Sequence, residues 1–176
     1  LHSAQERAPA LLAVLDAALA ANRGVPALIA VNGDVFERGN VLALRSEGAA
    51  DWALLRALRA RAPVVLNLGN HETALVDDPA VVVARARALD LLVVSNIGDP
   101  RGAAPYAPAR VTLSLGGRRV VVVGIATDAA ATYRAPVRPL RGRRAPSCSA
   151  KPATPPIVPS CRCCPMAACC WAGMSI

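Results

Sequence analysis

Apolar positions along the chain fall into two alternating patterns, helical spacing and short continuous runs. Leu11, Leu12, Leu15 and Leu19 recur at helical spacing up to Asn22, with Gly24 as the stop, and predict an amphipathic helix. Ser3 and Glu6 have the spacing of a capping box, although Pro9 favours a later helix start. Ala27 to Val31 is a short apolar run between Pro26 and Asn32-Gly33-Asp34, the pattern of a strand buried on both faces. A loop follows from Val35 to Glu47, then a helix after Asp51 with Trp52, Leu55 and Leu58 on one side and Arg59 and Arg61 near its end. Pro63 closes that helix, and Val64 to Leu68 is the second apolar run.

Asp78-Pro79 reads as an N-cap followed by proline at the first helical position, opening a third helix over Ala80 to Ala88. Leu91 to Val94 is a third strand. Strands that alternate with helices and read as solid apolar runs predict parallel βαβ units. Beyond a loop at Pro100 to Pro108, Val111 to Leu115 and Arg119 to Ile125 flank Gly116-Gly117 as a β-hairpin. Thr127-Asp128 ends the ordered pattern, and no element is expected past about Leu140. The fold class is therefore α/β, with helices packed on a mostly parallel sheet and a later hairpin.

Composition divides the chain. Residues 1–140 carry 15 arginines against all 12 acids, while residues 141–176 carry four arginines and Lys151 against none, so most of the net charge of +8 belongs to the tail. The basic balance is thus no nucleic-acid face, which needs cations gathered on a folded surface with a reader motif. All six cysteines and 6 of the 15 prolines also lie in the tail. Structural zinc sites use Cys-x2-4-Cys pairs, and the pattern here is C-x-C-C and then C-C with no later histidine. Residues 141–176 read instead as a disordered low-complexity tail or the product of a reading-frame change. A domain over 1–140 followed by that tail is the expected organisation. No apolar stretch approaches the length that crosses a bilayer, so no membrane partner is expected. No signal peptide opens the sequence, and its start at Leu1 rather than Met implies missing upstream residues.

The chemistry gathers where the first two strands end. Asn32-Gly33-Asp34 follows one and Gly69-Asn70-His71-Glu72 the other. In a parallel sheet the carboxyl ends of neighbouring strands share one edge, where ligands bind, so Asp34, Asn70 and His71 should converge there, with His2 close by if a strand precedes it. Carboxylate, amide oxygen and imidazole are ligand types for divalent ions, and paired ions activate water for phosphoryl displacement. The plainer alternative is that each is a turn residue of a doubly wound binding or interaction domain without metal. No glycine-rich phosphate loop supports a Rossmann-type nucleotide site in that alternative.

Gly33-Asp34-Val35-Phe36-Glu37-Arg38-Gly39-Asn40 followed by Gly69-Asn70-His71-Glu72 resembles the GD and GNH(E/D) motifs of the calcineurin-like metallophosphoesterases. Val94-Ser95-Asn96-Ile97 is similar to a strand end of the 5'-nucleotidase-type branch, and the resemblance spans about residues 1 to 130. It implies a partial phosphoesterase fold, two divalent ions (Mn, Zn, Mg, Fe or Ca) and a phosphate-ester or nucleotide substrate, with no nucleic-acid polymer. It implies that Asp34 bridges the two metals, Asn70 ligates the second and His2 the first. His71 would donate a hydrogen bond to the phosphoryl oxygen or leaving group. Three departures accompany it. The aspartate of the family's Asp-x-His motif would fall just before Leu1. The later histidine and Gly-His-x-His have no counterpart, since His2 and His71 are the two histidines of the sequence. Ala74 stands where nucleotidase-type members pair an aspartate with the GNH histidine, which makes Glu37 the candidate to orient His71. Glu72 reads as a supporting residue. The expected activity is metal-dependent phosphoester hydrolysis, incomplete in this chain, with a non-catalytic truncated fold as the alternative.

Overall fold

The computed structural model describes residues 1–140 apart from 103, 128 and 134–136. The expectations for the cysteine-rich tail, and for Asp128, lie outside the described residues. The sheet is built on β2 (Val64–Asn67), whose β-branched and leucine side chains are buried along the strand. It pairs in parallel with β1 (Ile29–Asn32) on one side and β3 (Leu92–Val94) on the other. Asn32 is in register with Asn67 and Asn67 with Val94, so all three strands end at one edge. That register sends the segments after Asn32 and Asn67 out side by side.

Among the described residues four α-helices accompany the sheet. Pro9 sits in the first turn of α1 (Ala8–Ala21), where its missing N–H costs nothing. Leu12 and Leu15 of α1 pack against the core, yet none of its residues is fully buried. In α3 (Ala49–Arg59) Trp52, Leu55 and Leu58 are buried, and Phe36 packs on Trp52 with ring centres 4.9 Å apart. Asp78 caps α4 (Pro79–Ala88) by accepting the Ala80 N–H at 2.8 Å, as the Asp-Pro pair predicts. Among the described residues no helix is long and apolar enough to cross a membrane.

The hairpin forms as expected from β5 (Arg110–Leu115) and β6 (Arg118–Val123), with Gly116 and Gly117 both at positive φ in the turn. Four expectations are corrected. The 35–47 segment is not all loop: Asn40 accepts the Ala43 N–H at 3.0 Å and starts the short α2 (Val41–Arg45). β1 is not buried on both faces, since Ala30 and Asn32, which share one face of the sheet, are exposed while Val31 on the other is buried. Ser3 and Glu6 form no capping box, because the 3-10 turn Gln5–Arg7 has Ala4 as its N-cap and Ser3 bonds elsewhere. Order also continues past Thr127, through a 3-10 turn at Ala130–Thr132 to β7 (Arg138–Pro139), antiparallel to β4 (Ile97–Gly98).

Candidate metal centre

Two glycines allow the β1 and β2 loops to meet. Gly33 has φ +68°, and a Cβ there would stand 2.7 Å from the Gly69 nitrogen. A Cβ on Gly69 would collide with the Asp34 carboxylate and stand 2.9 Å from both Asp34 N and Glu72 Oε2. Neither side chain is tolerable, so the loops close to backbone contact. Asp34 itself adopts φ +53°, a left-handed conformation that an aspartate accepts with some strain. Its Oδ1 accepts the His71 backbone N–H at 3.2 Å, joining the loops directly.

Glu72 fastens the junction from below. It is buried, its Oε1 accepting the Val35 N–H at 3.0 Å and its Oε2 the Gly69 N–H at 2.6 Å. Burial pushes this carboxyl above its ordinary range, partly offset by the backbone donors. The residue supports both motif loops and points its oxygens at backbone, which agrees with a supporting role.

His2 is held at the junction by backbone hydrogen bonds. The Leu1 amino group and the His2 N–H both donate to the Asp34 carbonyl, at 2.8 and 2.7 Å, and the Ser3 N–H donates to Val35 O at 2.9 Å. Ser3, buried, is the hub of this segment. Its hydroxyl donates to Asp51 Oδ2 at 3.2 Å and accepts the Glu37 N–H at 2.8 Å, while its carbonyl accepts from Asn40 Nδ2 at 2.8 Å. Sequence reasoning missed Ser3 and Asp51, partners 48 positions apart.

His2 Nε2 lies 3.9 Å from Asp34 Oδ2, and His2 Nδ1 lies 3.4 Å from Glu37 Oε2. His71 Nδ1 lies 3.1 Å from the same Glu37 oxygen, and the two imidazoles meet edge to face with centres 4.9 Å apart. The Gly39 N–H donates to the other Glu37 oxygen at 3.2 Å; chiefly through that bond, Glu37 is held below the usual carboxylate range. Asn70 donates its amide N–H to Thr132 O at 3.3 Å. The predicted residues His2, Asp34, Glu37 and His71 are thus brought together, and Asn70 stands beside them in the same loop.

The donor set fits divalent ions. Asp34 Oδ2 and His2 Nε2 face each other beyond hydrogen-bonding distance, about 0.5 Å wider than two ligands on one tetrahedral ion, so a small closing movement would let both hold it. Three side chains, His2, Glu37 and His71, offer ligand atoms that all lie within 4.8 Å of one another.

The chain belongs to the calcineurin-like phosphoesterase family, whose family model matches residues 1–124. It is similar to the crystal structure of a 5'-nucleotidase precursor from Thermus thermophilus, at a TM-score of 0.55 and 26% identity over 74% of this chain. The match covers 25% of that structure's chain, so the present chain spans about a quarter of its length. Comparison with curated proteins gives no match.

Proposed function

We propose that the loops after β1 and β2 form one wall of a two-metal site for hydrolysis of phosphate esters, nucleotides among them. The meeting of Asp34, His2 and His71 at one sheet edge carries this reading. Asp34 is the bridging ligand, His2 a ligand of the first ion and Asn70 a ligand of the second. Ions bound there supply Lewis-acid activation of water and neutralise phosphoryl oxygens. The similar Thermus structure, a 5'-nucleotidase precursor, supports a nucleotide as one substrate.

The chain's own contribution is positioning and proton placement. His71 Nδ1 stands 3.1 Å from Glu37 Oε2, so the nitrogen left to face substrate is Nε2. Glu37 thereby takes the orienting task that an aspartate at the Ala74 position performs in the branch.

The sequence has no histidines beyond His2 and His71 to complete the family's ligand set. The purified 176-residue chain is therefore expected to hydrolyse p-nitrophenyl phosphate with Mn²⁺ no faster than the metal-free background. Robust turnover that Asp34→Ala abolishes would show that these ligands suffice. A longer form with an aspartate two positions before His2 and the family's Gly-His-x-His should bind Mn²⁺ in calorimetry. Failure of that form to bind would overturn the two-metal reading.

A further inference from the structure

Glu37 does something that the two-metal arrangement does not require. Its Oε1 is occupied by the Gly39 N–H, and its Oε2 faces two imidazoles at once, His71 Nδ1 at 3.1 Å and His2 Nδ1 at 3.4 Å. A single oxygen between two ring nitrogens is a hydrogen-bond acceptor when those nitrogens carry protons. When they do not, the same three atoms are a two-imidazole, one-carboxylate ligand set. We propose that His2, Glu37 and His71 form a mononuclear zinc-class site, on the face of His2 turned away from Asp34.

The geometry favours this over a chance cluster. Ligand atoms about 2.0–2.1 Å from a tetrahedral ion lie roughly 3.4 Å from one another. Both carboxylate–imidazole separations are near that value, and the three side chains offer ligand atoms that all lie within 4.8 Å of one another. The edge-to-face contact of the rings lets the set close by a tilt, and both side chains are partly solvent-exposed, so an ion with its waters can enter. His2 has Nε2 toward Asp34 and Nδ1 toward Glu37, so the new site uses the nitrogen that the Asp34 side leaves aside. Two imidazoles with one carboxylate select zinc, copper or nickel over magnesium and manganese, which prefer oxygen ligands. The inference stands on these atoms and not on the proposed reaction. If that reaction holds, an ion here withdraws Glu37 and His71 from it, and zinc inhibits.

The test uses the full chain with its six cysteines alkylated, so that thiolates cannot capture the ion. Zinc affinity is measured by competition with a chelating dye, and X-ray absorption at the zinc edge counts imidazole ligands. The parent and Asp34→Asn should both bind one zinc through two imidazoles. Glu37→Gln, an isosteric change at a partly exposed residue, should weaken binding roughly tenfold or more, and His71→Gln likewise. Matching thermal melts for the four forms separate ligand loss from unfolding. Unchanged zinc affinity in Glu37→Gln overturns the proposal, as does absence of zinc binding by the parent. Loss in Asp34→Asn with retention in Glu37→Gln also overturns it, and places the ion on the Asp34 side as the two-metal reading requires.

Discussion

Glu72 shows how much one buried carboxylate can carry. Both of its oxygens accept backbone N–H groups, one from each motif loop, and the loops otherwise meet through glycines that offer no side chain. Glu72→Gln keeps the volume but sets an amide N–H against a backbone N–H. The expected cost is about 2–3 kcal/mol in urea unfolding, from one lost charge-assisted bond and one buried donor without a partner. A change smaller than about 0.5 kcal/mol would mean that the glycine contacts alone hold the junction. Asp51 makes the complementary case in pH. Burial, working against the Ser3 and Gln5 hydrogen bonds, raises its carboxyl above the ordinary 3.8. The folded state therefore favours the protonated form. The associated stability is fully present below the unfolded value and is lost as pH rises through the raised native value. Asp51→Asn keeps an oxygen to accept both donors and does not titrate. Its urea midpoint, relative to the parent, is expected to improve as pH rises from the ordinary carboxyl value through the raised native one and then to level off, and parallel curves throughout would refute this.

Elements were readable where their signals are local. The apolar runs of β2 and β3, the Asp78-Pro79 start of α4 and the Gly116-Gly117 turn each depend on a few neighbouring residues, and each forms. The edge on which Asp34 and His71 meet was readable for the same reason, since parallel register follows from the alternation of strands and helices. What misled was a local pattern with a distant competitor. Ser3 and Glu6 have capping-box spacing, yet the Ser3 hydroxyl is taken by Asp51 and Glu37, so the cap is lost to tertiary contacts. The apolar run of β1 suggests burial on both faces, but a run cannot reveal whether another element packs over the face of Ala30 and Asn32. α2 was hidden by its length of five residues, although Asn40 before Val-Leu-Ala-Leu is a cap signal. That cap has a second function, because Asn40 Nδ2 also holds the Ser3 carbonyl beside His2. Asn40→Ala is therefore expected to cost more than the usual cap loss of about 1 kcal/mol in thermal or urea unfolding, and Asn40→Asp to recover the cap without the Ser3 bond. Equal stability for the Ala and Asp forms would show that the cap contributes nothing.

At the scale of the whole molecule, the described residues leave much apolar surface in water. The hairpin shows this most clearly. Its inward positions Val111, Leu113 and Leu115 are half-buried, while on the opposite face Val121 and Val123 are 48% and 58% exposed, followed by Ile125 at 73%. Alternation along a two-stranded ribbon ordinarily puts polar residues on the outer face, as Arg110, Thr112 and Ser114 do on β5. β6 breaks that rule, and Asn67 at the end of β2 donates to the carbonyl of Ile125 just beyond it at 2.7 Å. An exposed apolar strand face is an association hazard that folds ordinarily cover or charge. Val121→Thr with Val123→Thr preserves shape and β-propensity while removing apolar surface from the outer face alone. The doubly substituted chain is expected to sediment as a smaller species than the parent at equal concentration. Its circular dichroism and melting temperature should stay within error, because neither side chain reaches the core. If the parent and the variant associate equally, the apolar surface that matters lies instead on α1 and α2, where Val14, Val41 and Leu42 are exposed to a similar degree.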